Sequence, residues 1–162
     1  MADRTEQEPA SGGTLQAAIS NAIVRLLREY TGRGPTKSRT TIRDNVVLVM
    51  LWQTLTKGEE SLVRKGRVDQ VIEIRHEFEE AMREECMAKV GELTGRNVTA
   101  MLGANHVNPD IGTEIFVLDG PPDYSEARAH AALDGEARAH AQPTAAASTG
   151  DSEDLGASLL AG

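Results

Sequence analysis

Residues 36–52 read TKSRTTIRDNVVLVMLW, and this stretch decides the fold. Thr36 to Arg43 alternates hydroxyl-bearing and basic side chains, the pattern of a half-exposed strand. Asp44-Asn45 offers a tight turn, and Val46 to Gln53 is β-branched and aliphatic, the composition of a strand buried on both faces. Together they predict a β-hairpin. On its N-terminal side, Gly32 and Gly34-Pro35 stop a helix that Thr14 caps and that runs to about Tyr30. Its apolar residues Leu15, Ile19, Ala22, Ile23, Leu26 and Leu27 recur at helical spacing. On its C-terminal side, Thr56-Lys57-Gly58-Glu59 has capping-box form and opens a short helix ending near Gly66; capping accounts for Glu59.

A long helix is expected from Asp69 to Thr94, closed by Gly95. Its core stripe reads Val71, Ile74, Phe78, Met82, Cys86, Val90 and Leu93, with Glu79–Arg83 and Glu85–Lys89 pairs on the solvated side. Asn97 to Val107, a turn through Asn108-Pro109-Asp110, and Thr113 to Leu118 complete a second hairpin. The order α-ββ-αα-ββ implies an α+β fold, an antiparallel four-stranded sheet with helices packed on it. Met50 and Trp52 are expected in the core, and Met87, Met101 and Val107 against another subunit.

The net charge of −8 over 162 residues is carried by the ends. Residues 1–13 set Arg4 against Asp3, Glu6 and Glu8. Beyond Leu118, Arg128 and Arg138 face eight acidic residues. Residues 1–13 therefore read as a disordered N-terminal arm, 14–119 as a single α+β domain, and 120–162 as a disordered acidic, Ala-rich tail. The tail repeats Glu-Ala-Arg-Ala-His-Ala at 126–131 and 136–141, too short a unit for a solenoid. The acidic balance argues against a nucleic-acid partner. The single cysteine, Cys86, excludes an intramolecular disulfide and suits a reducing cytoplasm. With no signal-peptide pattern, and with Val46 to Trp52 as its longest apolar run, the chain is expected to be cytoplasmic without direct membrane insertion.

These elements, with Gly32-Arg33-Gly34-Pro35, Leu55-Thr56-Lys57-Gly58-Glu59, Leu93-Thr94-Gly95-Arg96 and Phe116-Val117-Leu118 in this order and spacing, resemble the MpsC-type family over about residues 14–119. That family carries the label of a sodium-translocating, membrane-potential-generating system and is in effect a domain of unknown function. The resemblance implies an accessory role beside a membrane ion or inorganic-carbon transport system. It brings no catalytic residues, and a chain without a membrane span cannot itself move sodium across a bilayer.

The most distinctive chemistry is the basic, hydroxyl-rich stretch of Arg33, Lys37, Arg39 and Arg43, with Ser38, Thr40 and Thr41 between them. Arginines in extended backbone beside a Gly-Pro turn can hold phosphate, carboxylate or an acidic partner. Charges also protect an edge strand from aggregation, and the same residues can pair with the acidic tail. No phosphate-binding Gly-rich loop accompanies them. Glu73 and His76 have di-iron spacing without the second copy such a site needs. His106 with Asp110 reads as a satisfied turn histidine, and His130 and His140 fall in the tail repeat. Cys86 lies on an apolar stripe, where cysteines are inert, and no serine-nucleophile motif is present. The expectation is a non-enzymatic module without cofactor, metal or catalytic residues, regulating through protein contact. It is expected to form a homodimer and to meet a membrane-system or other protein partner. The alternative is a small-anion or nucleotide sensor built on Arg33, Lys37, Arg39 and Arg43.

Overall fold

The computed structural model describes residues 10–125, which form α1 (Ala10–Thr31), β1 (Lys37–Arg43), β2 (Val46–Trp52), α2 (Lys57–Arg64), α3 (Val68–Thr94), β3 (Val98–His106) and β4 (Ile111–Leu118). This is the α-ββ-αα-ββ order of an α+β domain. The remaining parts of the N-terminal arm and the acidic tail, with His130 and His140, lie outside the described residues. Helix α1 starts four residues before Thr14, so Thr14 lies within the helix and not at its cap. Gly12-Gly13 weakens a helix by roughly 1 kcal/mol per glycine without forbidding it. Thr56 caps α2 as expected: its side chain accepts from the Glu59 amide while Glu59 accepts from the Thr56 amide. Gly95, with φ 61°, closes α3 in the left-handed conformation that glycine adopts without strain.

The strands stand in the order β1-β2-β4-β3, every neighbouring pair antiparallel. Strands β2 and β3 are therefore parallel to each other with β4 inserted between them, and α2 and α3 make the crossover. Register sorts the side chains. Thr40, Ile42, Val47, Val49, Leu51, Phe116, Leu118 and Met101 point to one face and pack under Leu15, Ile19, Ile23, Met82, Cys86 and Val90 of α1 and α3. The opposite face carries no helix. Its rows run Arg43–Val46–Val117–Ala100, Thr41–Leu48–Ile115–Leu102, Arg39–Met50–Thr113–Ala104 and Lys37–Trp52–Ile111–His106.

Four expectations change here. Strand β2 is buried on one face only, because α1 and α3 cover the same side; Val46 is exposed, and Met50 and Trp52 are half-buried on the open face. Met101 is a core residue and faces no second subunit. On α3 the buried line is Val71, Arg75, Glu79, Met82, Cys86, Val90 and Leu93, while Ile74 is exposed. Two paired charges thus occupy the inner positions of its first half. The solvated pairs are Arg83 with Glu80 and Lys89 with Glu92, three residues apart, since Glu79 is turned inward.

The chain does not leave the domain at residue 120. Pro122 is buried and Tyr124 packs against the core. The Asp123 amide donates to Thr94 O at 2.8 Å, and Arg96 Nε donates to Pro121 O at 2.6 Å. A chain ending at Asp119 should therefore melt several degrees below one ending at Ser125 in calorimetry. Equal melting of the two truncations would show that the 120–125 contacts contribute nothing.

Candidate functional site

Strand alternation places Glu114 in the interior. With Phe116 and Leu118 facing the core, the residue two positions earlier must do the same. Glu114 is 3% exposed and its Oε2 has no hydrogen-bond partner. Across the ladder it pairs with Gly103 of β3. The absence of a side chain there lets α3 bring Glu79 down onto the sheet: a Cβ on Gly103 would stand 2.6 Å from Glu79 Oε2 and 3.0 Å from Glu114 Oε2. Burial pushes the Glu114 carboxyl up to about 8, with the Glu79 charge adding and Arg83 opposing. Burial also raises Glu79, against the lowering effects of the Asn105 hydrogen bond, His76, Arg83 and Arg75.

One helical turn before Glu79, Arg75 anchors a polar network. Its Nε donates to Glu59 Oε1 at 3.0 Å, and its Nη1 donates to Thr54 Oγ1 at 2.7 Å and Asn105 Oδ1 at 2.9 Å. Asn105 Nδ2 in turn donates to Glu79 Oε1. Asp110 accepts from Thr54 Oγ1 at 2.9 Å and from the Leu55 amide at 2.8 Å. Glu59 is thus more than a cap: with Arg75 it forms a buried ion pair joining α2 to α3. Thr54, Glu59, Arg75, Glu79, Asn105 and Glu114 border a cavity of about 40 Å3 beneath the sheet.

The residues expected to bind an anion divide between two places. Arg33 borders this cavity, its Nη1 donating to Leu55 O at 2.6 Å and lying 3.6 Å from Glu60. Lys37, Arg39 and Arg43 line one side of the open sheet face, with Lys37 Nζ 5.0 Å from the centre of the Trp52 ring. His106 is the satisfied turn histidine expected, its Nδ1 2.9 Å from Pro109 O, while Asp110 serves the network above. Cys86 is buried and its thiol is pushed up to about 12, mainly by burial, which leaves it unreactive. Among the described residues no helix is long and apolar enough to cross a membrane.

The profile of one protein family, MpsC, described as a Na+-translocating membrane potential-generating system, matches residues 11–120. The chain belongs to the MpsC family. The match takes in the four strands and three helices described above, save the first residue of α1. Neither a curated protein nor a solved structure matches the chain.

Two outcomes follow from the site. Between the ordinary value of 4.5 and about 8, the folded protein holds a proton on Glu114 that the unfolded chain has released. Stability should therefore fall as pH rises through this window, and Glu79 acts in the same direction. Denaturant unfolding of Glu114→Gln should show a flatter pH profile and exceed the wild type above pH 8; an unchanged profile would contradict the assignment. Arg75→Met strands the buried Glu59 carboxylate and should cost about 3–5 kcal/mol. A loss below about 1 kcal/mol would mean that water replaces the guanidinium.

Proposed function

We propose that this MpsC domain is a non-enzymatic contact module that pairs with a second copy of itself through the helix-free face of its sheet. One observation carries the reading. The two central strands present Val46, Leu48, Met50, Trp52, Ile111, Ile115 and Val117 to that face with no charged side chain among them. Antiparallel sheets often leave one face to water, but such faces are then polar.

A second copy fits this face better than a strongly charged partner. Face-to-face sheets pack about 10 Å apart with their strands roughly aligned. A two-fold axis perpendicular to the strands would lay β1 on β1 and oppose Lys37, Arg39 and Arg43 to themselves. An axis parallel to the strands lays β1 over the partner's β3, where Ala100 and Ala104 leave room for long side chains. The aliphatic stems of the basic residues would then cover the partner's Leu102 while their charged heads stay in water. In this arrangement the basic row is the rim of the interface. It also remains the surface most suited to an acidic partner, including a component of the membrane Na+ system to which the family description points. The anion-sensor reading has less support, because Arg33 lies in the cavity region while the other three side chains project from a strand.

Sedimentation at micromolar concentration should give a dimer. Leu102, 54% exposed, tests the face with little effect on the monomer: Leu102→Glu should cost under about 0.5 kcal/mol of monomer stability yet shift the protein to monomer. A wild type monomeric at every concentration, or a Leu102→Glu variant that remains dimeric, would remove this reading.

A further inference from the structure

Helix α3 runs antiparallel to β3: Arg75 reaches Asn105, Glu79 comes down at Gly103 and Arg83 reaches the Met101 carbonyl. Towards its N-terminus the helix carries on past Asn105, so that helical rise puts Arg67 about 12 Å beyond Arg75. The α2–α3 corner at this tip reads Arg64-Lys65-Gly66-Arg67, and all four residues are exposed. Its own backbone holds it in shape. The Lys65 and Arg67 amides donate to Leu62 O at 3.0 and 2.9 Å, and the Gly66 amide donates to Val63 O at 2.9 Å. Gly66, with φ 74°, supplies the left-handed residue of the turn. Among the described residues, none of the three basic side chains meets a carboxylate. Arg64 Nη2 donates to Ser61 Oγ at 2.8 Å and Arg67 Nε donates to Gln70 Oε1 at 3.3 Å, both neutral acceptors. Two exposed aliphatic side chains, Val68 and Ile72, follow on the first turns of α3.

We infer that this tip is a peripheral docking point for an anionic lipid surface, with Arg64, Lys65 and Arg67 among the headgroup phosphates and Val68 at the headgroup boundary. The contact is with headgroups and inserts no span. The distribution of charge along the molecule selects this partner. The acidic tail leaves from the opposite end of the domain, where the Asp123 amide donates to Thr94 O. Behind the tip, α3 carries Asp69, Glu73, Glu77, Glu80 and Glu84, all exposed. A polyanion lying along the molecule, such as a nucleic acid, would run against those carboxylates, whereas a flat surface meets the end alone. The tip is also convex, a corner between two helices, and gives a folded protein little area to bury; lipid headgroups adapt to such a shape. Interfacial binding adds electrostatic attraction to a modest apolar contact, the two features this corner combines. In the dimer described above the axis runs parallel to the strands and leaves their direction unchanged, so both tips stand at the same end. A single tip carries the whole cluster, and docking does not require that dimer.

The test is flotation of the full chain with vesicles of phosphatidylglycerol and phosphatidylcholine in equal parts, against vesicles of phosphatidylcholine alone. The protein should float with the mixed vesicles at low ionic strength and stay behind with phosphatidylcholine, and the bound fraction should fall as salt is raised. Each Lys or Arg near such a surface favours binding about fivefold, so Lys65→Gln/Arg67→Gln should weaken it on the order of 25-fold. Its melting temperature should stay that of the wild type, since both side chains are exposed. Arg39→Gln/Arg43→Gln removes the same charge from β1 and should weaken binding far less. No flotation with the mixed vesicles overturns the inference, as does equal flotation with both vesicle types. So does an equal loss in the two double variants, which would mean that net charge decides and not the tip. Binding to a short DNA duplex without binding to the vesicles would assign the tip to nucleic acid instead. A protein that floats as described but sediments as a monomer would remove the contact between copies and leave the docking tip standing.

Discussion

A four-stranded sheet has two faces, and the two long helices of this chain cover the same one. The rest of the structure depends on that. Helix α1 enters over β1, with Ser20 Oγ and Thr40 Oγ1 2.6 Å apart, and α3 crosses back over the sheet to reach the β3 edge. The apolar phase of β2 under the helices makes the core, and the equally apolar phase on the other side is left without a cover from residues 10–125. At roughly 25 cal/mol per Å2 of apolar surface, a cover on this face would contribute in proportion to the area it buries. The basic residues of β1 set its limit along one edge and disfavour simple continuation of the sheet into a fibre.

The covered side is not purely apolar, and its polar part is what links the loops to the helices. Along α3 the inner line changes from Met82, Cys86 and Val90 to Glu79 and Arg75 as it approaches the hairpin ends. There the β2–α2 segment, α2, α3 and the β3–β4 turn meet through Arg75, Glu59, Thr54, Asn105 and Asp110. A network of this kind stabilises only when every member is satisfied. Glu114 Oε2 lies beside this network, buried and without a hydrogen-bond partner. The close approach at Gly103 makes the arrangement possible, since any larger residue would push Glu79 off the sheet.

Most of the fold was legible in the sequence because local signals agreed with one another. The Asp44-Asn45 turn, the Thr56–Glu59 capping box, the Gly95 stop and the alternation of β4 each have a mechanism confined to a few residues. Sheet order and the placement of both helices on one face were not legible, as they depend on contacts far apart in the chain. That is why Met50 and Trp52 read as core. The polar site was missed for a different reason. Arg75 and Glu79 are charged, so a search for an apolar stripe passed to Ile74 and Phe78, although the spacing from Val71 to Met82, three full turns, runs through the charged pair. Glu114 could have been found by stepping back in twos from Leu118 and Phe116. The basic residues Lys37, Arg39 and Arg43 do share a strand face as alternation requires, while Arg33 precedes the strand and turns to Leu55 and Glu60.

The exposed apolar face contains the sole tryptophan of the chain, Trp52, which makes that face directly observable. The decisive measurement is the quenching of its fluorescence by acrylamide across a dilution series of the full-length protein. If the face is the contact between two copies, Trp52 is shielded at high protein concentration. Its quenching constant then rises, with a red shift of emission, as the protein is diluted through the dimer dissociation range. A quenching constant and emission maximum that stay the same at every concentration would contradict the account.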